Sequence, residues 1–298
     1  MGTEDKVQNF TASPQEKLQA EFELIVRGEH SDPFGILGPH WITADGKRSL
    51  AIRVFRPNAV EVTIVGTKNN QTFAATRIHP EGLFEVDLPA TALGTAAAET
   101  VPPTAYRLRI RFGDGNVFET LDPYAFPPVL TEYDLYLSGE GTHYLKYEKL
   151  GAHVREVAGV RGVHFGVWAP NAKRISVVGN FNFWDGRVHP MRHRGESGIW
   201  EIFIPGLDEG ELYKFEILGR YDNYLGLKTD PYGFSGEVRP KNASVVRNID
   251  GYEWKDRAWM ESRSLRDWLH SPMTVYELHA GSWKRKPEEG NRWLTYRE

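Results

Sequence analysis

No cysteine occurs in the 298 residues, which excludes disulfide staples, thiolate metal sites and thiol nucleophiles and fits a reducing compartment. No run of roughly eighteen apolar residues occurs either, and the opening MGTEDKVQNF has no apolar centre of the kind a signal peptide needs. The sequence therefore reads as a soluble, cytoplasmic protein without a membrane partner. A strong charge of one sign is also missing. A net charge of −4 and a pI near 6.2 give no electrostatic case for nucleic acid.

Catalytic spacings are absent in the same way. Gly113-Asp114-Gly115 lacks the third glycine of a dinucleotide loop and has no helix to open, so it reads as a strand turn. His189 and His193 stand four apart, but Pro190 lies between them and the glutamate of a zinc helix is missing. They read as loop residues, with no metal. Gly233-Phe234-Ser235-Gly236-Glu237 fails the spacing of a nucleophile elbow. No cofactor is called for, and no catalytic residue is assigned. The carboxylates read mostly as a solvated surface.

What the chain has in quantity is aromatic side chains, including nine tryptophans and thirteen tyrosines. The stretch from Gly162 to Gly206 holds three short runs of period two. Phe165 and Val167 share one face. Ile175 and Val177 alternate with Arg174 and Ser176, and Trp200, Ile202 and Ile204 alternate with Glu201 and Phe203. Such alternation predicts strands with one buried face. Tyr213, Phe215 and Ile217 continue it, with Lys214 and Glu216 opposite. Asp185-Gly186 is turn chemistry and places Trp184 at a turn. The stretch reads as part of an antiparallel β-sandwich.

The pattern recurs. Val54-Phe55-Arg56-Pro57-Asn58-Ala59 matches Val167-Trp168-Ala169-Pro170-Asn171-Ala172, a shift from 54 to 167, or 113 positions. Three more segments follow in the same order: Gly82 to Val86 with Gly198 to Ile202, Tyr106 to Leu108 with Tyr213 to Phe215, and Asp122-Pro123-Tyr124 with Asp230-Pro231-Tyr232. This predicts a duplicated sandwich. The expected layout is a helix and loop over 1–40, a first sandwich over 41–130, a packed linker over 131–155, a second sandwich over 156–252 and a further segment over 253–298.

Ser13-Pro14-Gln15-Glu16 has the form of a capped helix start, and Leu18, Phe22 and Ile25 then share a face until Gly28. The Ala/Thr/Pro-rich loop between Thr91 and Thr104 is expected to be the least ordered part. Near the end, Ser264 to His270 predicts a helical turn, Thr274 to Trp283 a strand with its exit loop, and Asn291 to Glu298 the start of a helix. Strand then helix is the opening of an α/β unit.

For function, binding is the better prospect. An aromatic ring on a turn of a rigid sandwich offers a flat platform for the C–H face of a pyranose, with polar neighbours for its hydroxyls. Trp184, beside Asn182 and Asp185, suits that role, and Lys214 can reach a hydroxyl. The alternative is that Trp184 only packs against its neighbours.

At WAPNAKRISVVGNFNFWDGR the chain resembles the glycogen-binding sandwich modules of the α-amylase superfamily. Together with DPFGILGPH, TDPYGF, VYELHAGSW and WLTYRE, it is similar to the amino-terminal part of bacterial glycogen (1,4-α-glucan) branching enzymes. The resemblance implies a mainly β fold: two tandem immunoglobulin-like β-sandwiches after an N-terminal helix, then the truncated start of a (β/α)8 barrel whose first strand is VYELHAGSW. It implies α-1,6 branching by retaining transglycosylation, with an aspartate nucleophile and a glutamate acid/base on later barrel strands. A barrel takes about 250 residues, and only residues 273 to 298 follow Pro272. The chain is therefore expected to be inactive by itself. The partner implied is an α-glucan such as glycogen. The site residues carried over are Trp184, Lys214 and Asn242, with Tyr221 where a second tryptophan is usual. A free-standing glucan-binding or targeting protein is the rival reading, and a debranching relative a third.

Overall fold

The computed structural model describes residues 13–44, 46–94, 100–221 and 224–298. Part of the Ala/Thr/Pro-rich loop, 95–99, lies outside them. The described chain divides at Asp250 and Gly251 into two compact units.

The larger unit opens with helix α1, Pro14–Arg27. Its start is a reciprocal cap: Glu16 N donates to Ser13 Oγ at 3.3 Å, and Ser13 N donates to Glu16 Oε2 at 2.7 Å. Gly28, at φ 63°, takes the left-handed conformation that ends it. Phe22, Ile25 and Val26 are buried with Leu37, Phe55, Leu83 and Tyr124, so the apolar stripe docks on the first sheet.

Eight strands follow: β1 (Gly38–Ala44), β2 (Lys47–Phe55), β3 (Ala59–Gly66), β4 (Thr72–Ala74), β5 (Thr76–His79), β6 (Leu83–Pro89), β7 (Tyr106–Phe112) and β8 (Val117–Thr120). They pair antiparallel in two sheets, β1-β2-β6-β5 and β4-β3-β7-β8. Leu50, Ile52, Phe84 and Leu88 from one sheet and Val62, Ile64, Tyr106 and Leu108 from the other share a single core. The Gly113-Asp114-Gly115 turn is the β7–β8 hairpin, as its composition predicts. Gly115 has φ 87°, and Asp114 Oδ1 accepts from Asn116 N at 3.0 Å.

The stretch read as a linker holds helix α2, Glu132–Glu140, and ends inside β9, Gly151–Val157. Then come β10 (Val160–Trp168), β11 (Ala172–Gly179), β12 (Arg192–His193), β13 (Ile199–Pro205), β14 (Leu212–Gly219), β15 (Leu225–Lys228), β16 (Ser235–Gly236) and β17 (Ser244–Val245). One sheet is β9-β10-β13-β12; the other is β11-β14-β17-β16, with β15 also on β14. Phe165, Ile175, Val177, Trp200, Ile202, Tyr213 and Phe215 fill the core between them. The orders β1-β2-β6-β5 and β3-β7-β8 reappear as β9-β10-β13-β12 and β11-β14-β15.

Several strands depart from simple alternation, β13 and β11 among them. Every residue of β13 is buried, including Glu201 and Phe203. Phe203 lies under Phe126, ring centroids 4.9 Å apart. Glu201 Oε2 accepts from Val129 N (2.9 Å), Leu130 N (3.0 Å) and His164 Nε2 (3.0 Å), and Oε1 accepts from Arg194. The outer face of this sheet is thus covered by the segment leaving the first half. In β11, Arg174 and Ser176 are also buried, beneath the loop that follows the strand.

The second unit corrects two expectations, those for 274–283 and 291–298. Its helix, α3, spans Arg257–Arg263, and residues 264–270 form turns. No strand forms over 274–283 among the described residues, where Val275, Tyr276 and Leu278 are exposed. A barrel strand is stabilised by neighbours on both edges and by burial of both faces, and neither is present there. Residues 291–298 are not helical. They contribute β19, Arg292–Trp293, to a short hairpin with β18, Arg285–Lys286, closed by Glu298 on Arg292 and Lys286, each at 2.9 Å.

Candidate functional site

The site is built by the loop between β11 and β12. At Gly179 any side chain would run into the Leu212 carbonyl, so the strand ends on a glycine and turns through Asn180–Asn182. Asn182 then acts as a staple: Oδ1 accepts from Gly179 N at 2.9 Å, and Nδ2 donates to Val177 O at 2.9 Å and to His189 Nδ1 at 3.1 Å. Being buried and fully used, it is not available to a sugar hydroxyl, contrary to the role its position beside Trp184 suggests. The staple holds Phe183 and Trp184 in consecutive left-handed conformations, φ 56° and 61°. Bulky residues take that conformation at a cost of order 1–3 kcal/mol each. Trp184 N donates to Gly179 O at 2.9 Å, and its indole Nε1 donates to Asn180 Oδ1 at 2.9 Å.

Beneath the loop, Arg174 donates to Gly186 O (3.2 Å), to Ser176 Oγ and, at 2.8 Å, to Glu216 Oε1. Gly186 lies so close over Glu216 that a side chain there would overlap the carboxylate. Asp185 is occupied by Arg187, which donates to it from the backbone N (2.9 Å), Nε (3.0 Å) and Nη2 (2.8 Å). Burial raises the Asp185 carboxyl, but these hydrogen bonds outweigh it and hold the group below the usual range.

Lys214, on β14, lies opposite Val178, next to the Gly179–Tyr213 pair where the loop departs. Its Nζ donates to Asn242 Oδ1 at 2.6 Å, and Thr229 Oγ1 donates to Asn242 O at 3.0 Å. The structure thus brings Lys214 and Asn242 together at the end of the sheet from which the Trp184 loop springs. Tyr221 is 80% exposed in the β14–β15 turn, beyond Gly219, which pairs with Ala172 at the other end of β11. Along the strand that is about 17 Å from Lys214.

The residues around this loop match a known domain type. Residues 149–233 match the model of carbohydrate-binding module 48 (isoamylase N-terminal domain), and residues 18–124 match the alpha-1,4-glucan branching enzyme GlgB N-terminal domain. The 1,4-alpha-glucan branching enzyme GlgB of Paramagnetospirillum magneticum is 48% identical over 279 residues, 94% of this chain and 35% of that protein. That of Rubrobacter xylanophilus is 46% identical over 282 residues, 95% of this chain and 36% of that protein. The chain belongs to the amino-terminal region of the 1,4-alpha-glucan branching enzyme family.

This branching-enzyme region spans about a third of the length of the curated relatives it matches. Among solved structures, a pullulanase from Anoxybacillus sp. LM18-11 aligns over 72% of this chain and 29% of its own, at 16% identity and a TM-score of 0.28. A score that low carries no weight for the fold. Trp184, Lys214 and Tyr221 fall inside the matched module and Asn242 beyond it.

The branching-enzyme sequence gave no warning of two loop residues. Asn180 holds the Trp184 indole, and Phe183 is 85% exposed. The only signal was local, an asparagine either side of Phe181 after a glycine. Of the two histidines, His189 is buried, and burial and then the Arg56 charge keep its pKa well below the ordinary value. His193 lies against Trp200, ring centroids 4.6 Å apart. Among the described residues, no group of three metal-ligating side chains comes together.

Proposed function

We propose that this chain is the glucan-binding front section of a 1,4-alpha-glucan branching enzyme, in which Trp184, Lys214 and Asn242 hold an α-glucan chain. The observation that carries the reading is the Lys214–Asn242 contact, formed at the same end of β11 and β14 as the Trp184 loop. An indole face is a platform for a pyranose, while ammonium and amide groups serve its hydroxyls. Tyr221, in the turn at the far end of β14, is a separate contact that a longer glucan chain would reach.

On this reading the two halves are duplicated immunoglobulin-like sandwiches. The repeated strand order and a pair of matched details support it. His40 Nε2 lies 3.0 Å from Leu37 O, and His153 Nε2 lies 3.0 Å from Leu150 O, again 113 positions apart. The branching reaction would proceed in the cytoplasm by retaining transglycosylation, on an aspartate and a glutamate of a catalytic barrel that this chain does not supply. The chain by itself then leaves the iodine stain of amylose unchanged, and a clear spectral shift would refute that. In a glycogen-containing gel the chain is retarded and Trp184→Ala migrates faster. Equal retardation of the two would assign the indole to packing alone.

A further inference from the structure

A cleft of about 890 Å3 lies between the two halves, walled by the β7–β8 hairpin on one side and the Asn180–His189 loop on the other. Its volume is within the roughly 300–1,000 Å3 of small-ligand sites. Among the aromatic rings that line it are two exposed ones, one from each half: Phe118, 55% exposed, and Phe183, 85% exposed. The left-handed backbone at Phe183 puts its ring in the cleft wall while its neighbour Trp184 makes a separate contact with Asn180.

Arg56 also lines the cleft. It is only 6% exposed, yet among the described residues it has no ion-pair partner. Its Nη1 donates to Phe55 O at 2.9 Å and Val188 O at 3.5 Å, and its other N–H groups make no hydrogen bond there. A guanidinium that is mostly buried, feels the Asp122 charge without pairing to it and keeps spare donors at a cleft is an unfilled hydrogen-bonding position. Asn58, Asn116 and Asn180 add exposed amides.

The chemistry selects among ligands. Asp114 and Asp185 share the lining, so the cleft does not favour an anion. Apolar rings, amides and one guanidinium suit a neutral polyol whose sugar rings have C–H faces. We propose that this cleft is a second α-glucan site, separate from the surface at Trp184, and that one glucan segment contacts both halves there through Phe118, Phe183 and Arg56. This rests on the reading of the chain as a glucan binder.

The test is calorimetric titration of the 298-residue chain with maltoheptaose, as wild type, Trp184→Ala, Phe118→Ala, Phe118→Trp and the double variant Trp184→Ala/Phe118→Ala. Phe118 stands on the first half, away from the Trp184 loop, and its exposure makes the substitution harmless to folding. The expected result is two binding events in the wild type. Phe118→Ala weakens one of them about tenfold, Phe118→Trp retains it, Trp184→Ala removes the other, and the double variant keeps only the weakened event. A Phe118→Ala isotherm that superimposes on the wild type, or loss of all binding in Trp184→Ala alone, overturns the cleft and leaves the first reading standing. A wild type that binds no maltoheptaose overturns both.

Discussion

The Tyr213 hydroxyl donates to the buried carboxyl of Asp230 at 2.6 Å, and Tyr106 meets Asp122 in the same way at 2.7 Å. In each half the other carboxyl oxygen accepts a backbone N–H two residues on, from Tyr232 at 2.8 Å and Tyr124 at 3.0 Å. Burial pushes both aspartates up, and the tyrosine hydroxyl is the largest influence opposing it. The pair joins a core strand to the turn that leaves the sandwich.

Tyr213→Phe and Tyr106→Phe are each expected to lower stability by about 1–3 kcal/mol, because an acceptor is left unpaired. The loss should shrink as pH falls through the raised carboxyl pKa of each aspartate, which lies above the ordinary 3.8. A raised aspartate destabilises only once ionised, and a protonated one has less need of the hydroxyl. Urea unfolding at two pH values measures both effects.

Glu201 carries the opposite sign. Burial would raise its carboxyl, but the His164 hydrogen bond, the Leu130 N–H and Arg194 hold it at about 2, against an ordinary 4.5. Its contribution is complete above 4.5 and is lost as pH falls towards 2, on the order of 2–3 kcal/mol. His189, kept neutral in the fold, begins the same acid loss nearer 6.5, because only the unfolded state takes up its proton. Thermal melts should show stability falling across this range. Glu201→Gln should be less stable at pH 7 by about 3 kcal/mol and show a flatter profile between 4.5 and 2.

Lys214→Ala and Asn242→Ala remove one exposed hydrogen bond and should change stability by less than about 0.5 kcal/mol. Each should nevertheless lower retention in a glycogen gel. Unaltered retention together with an unaltered melt would take these two residues out of the site.

Gly186→Ala tests the seating of the Trp184 loop. The added methyl overlaps Glu216, whose carboxylate is tied to the buried Arg174 at 2.8 Å. Either the ion pair or the loop must give way. A stability loss of about 1–3 kcal/mol with weaker glycogen retention is expected, measured on the same protein by melting and by gel.

Local chemistry made much of this legible. The Ser13–Glu16 cap, the Gly115 turn and the inward rows of β10 and β14 are written in neighbouring residues, and the structure has them. Leu37-Gly38-Pro39-His40 and Leu150-Gly151-Ala152-His153 also repeat, and each glycine has a positive φ beneath the backbone of Tyr124 or Tyr232. That match was available to read. Glu201 was not. Alternation along β13 assigns it to solvent, and only the long-range arrival of Val129 and Leu130 buries it. Asn182 is similar, since its staple depends on Val177 and His189 being folded beside it. Over 274–283 a strand-like pattern is present without the neighbours that would make it a strand.

The connection through Glu201 has a mechanical consequence. Val129 and Leu130 hang from it, Phe126 is wedged on Phe203, and the Tyr124 hydroxyl grips the carbonyls of Val188 and Pro190 at 3.3 Å each. Swinging one half against the other would break all of these at once and strand a buried charge. The two halves therefore resist rotation against each other, and the Trp184 loop keeps a fixed bearing on the first half.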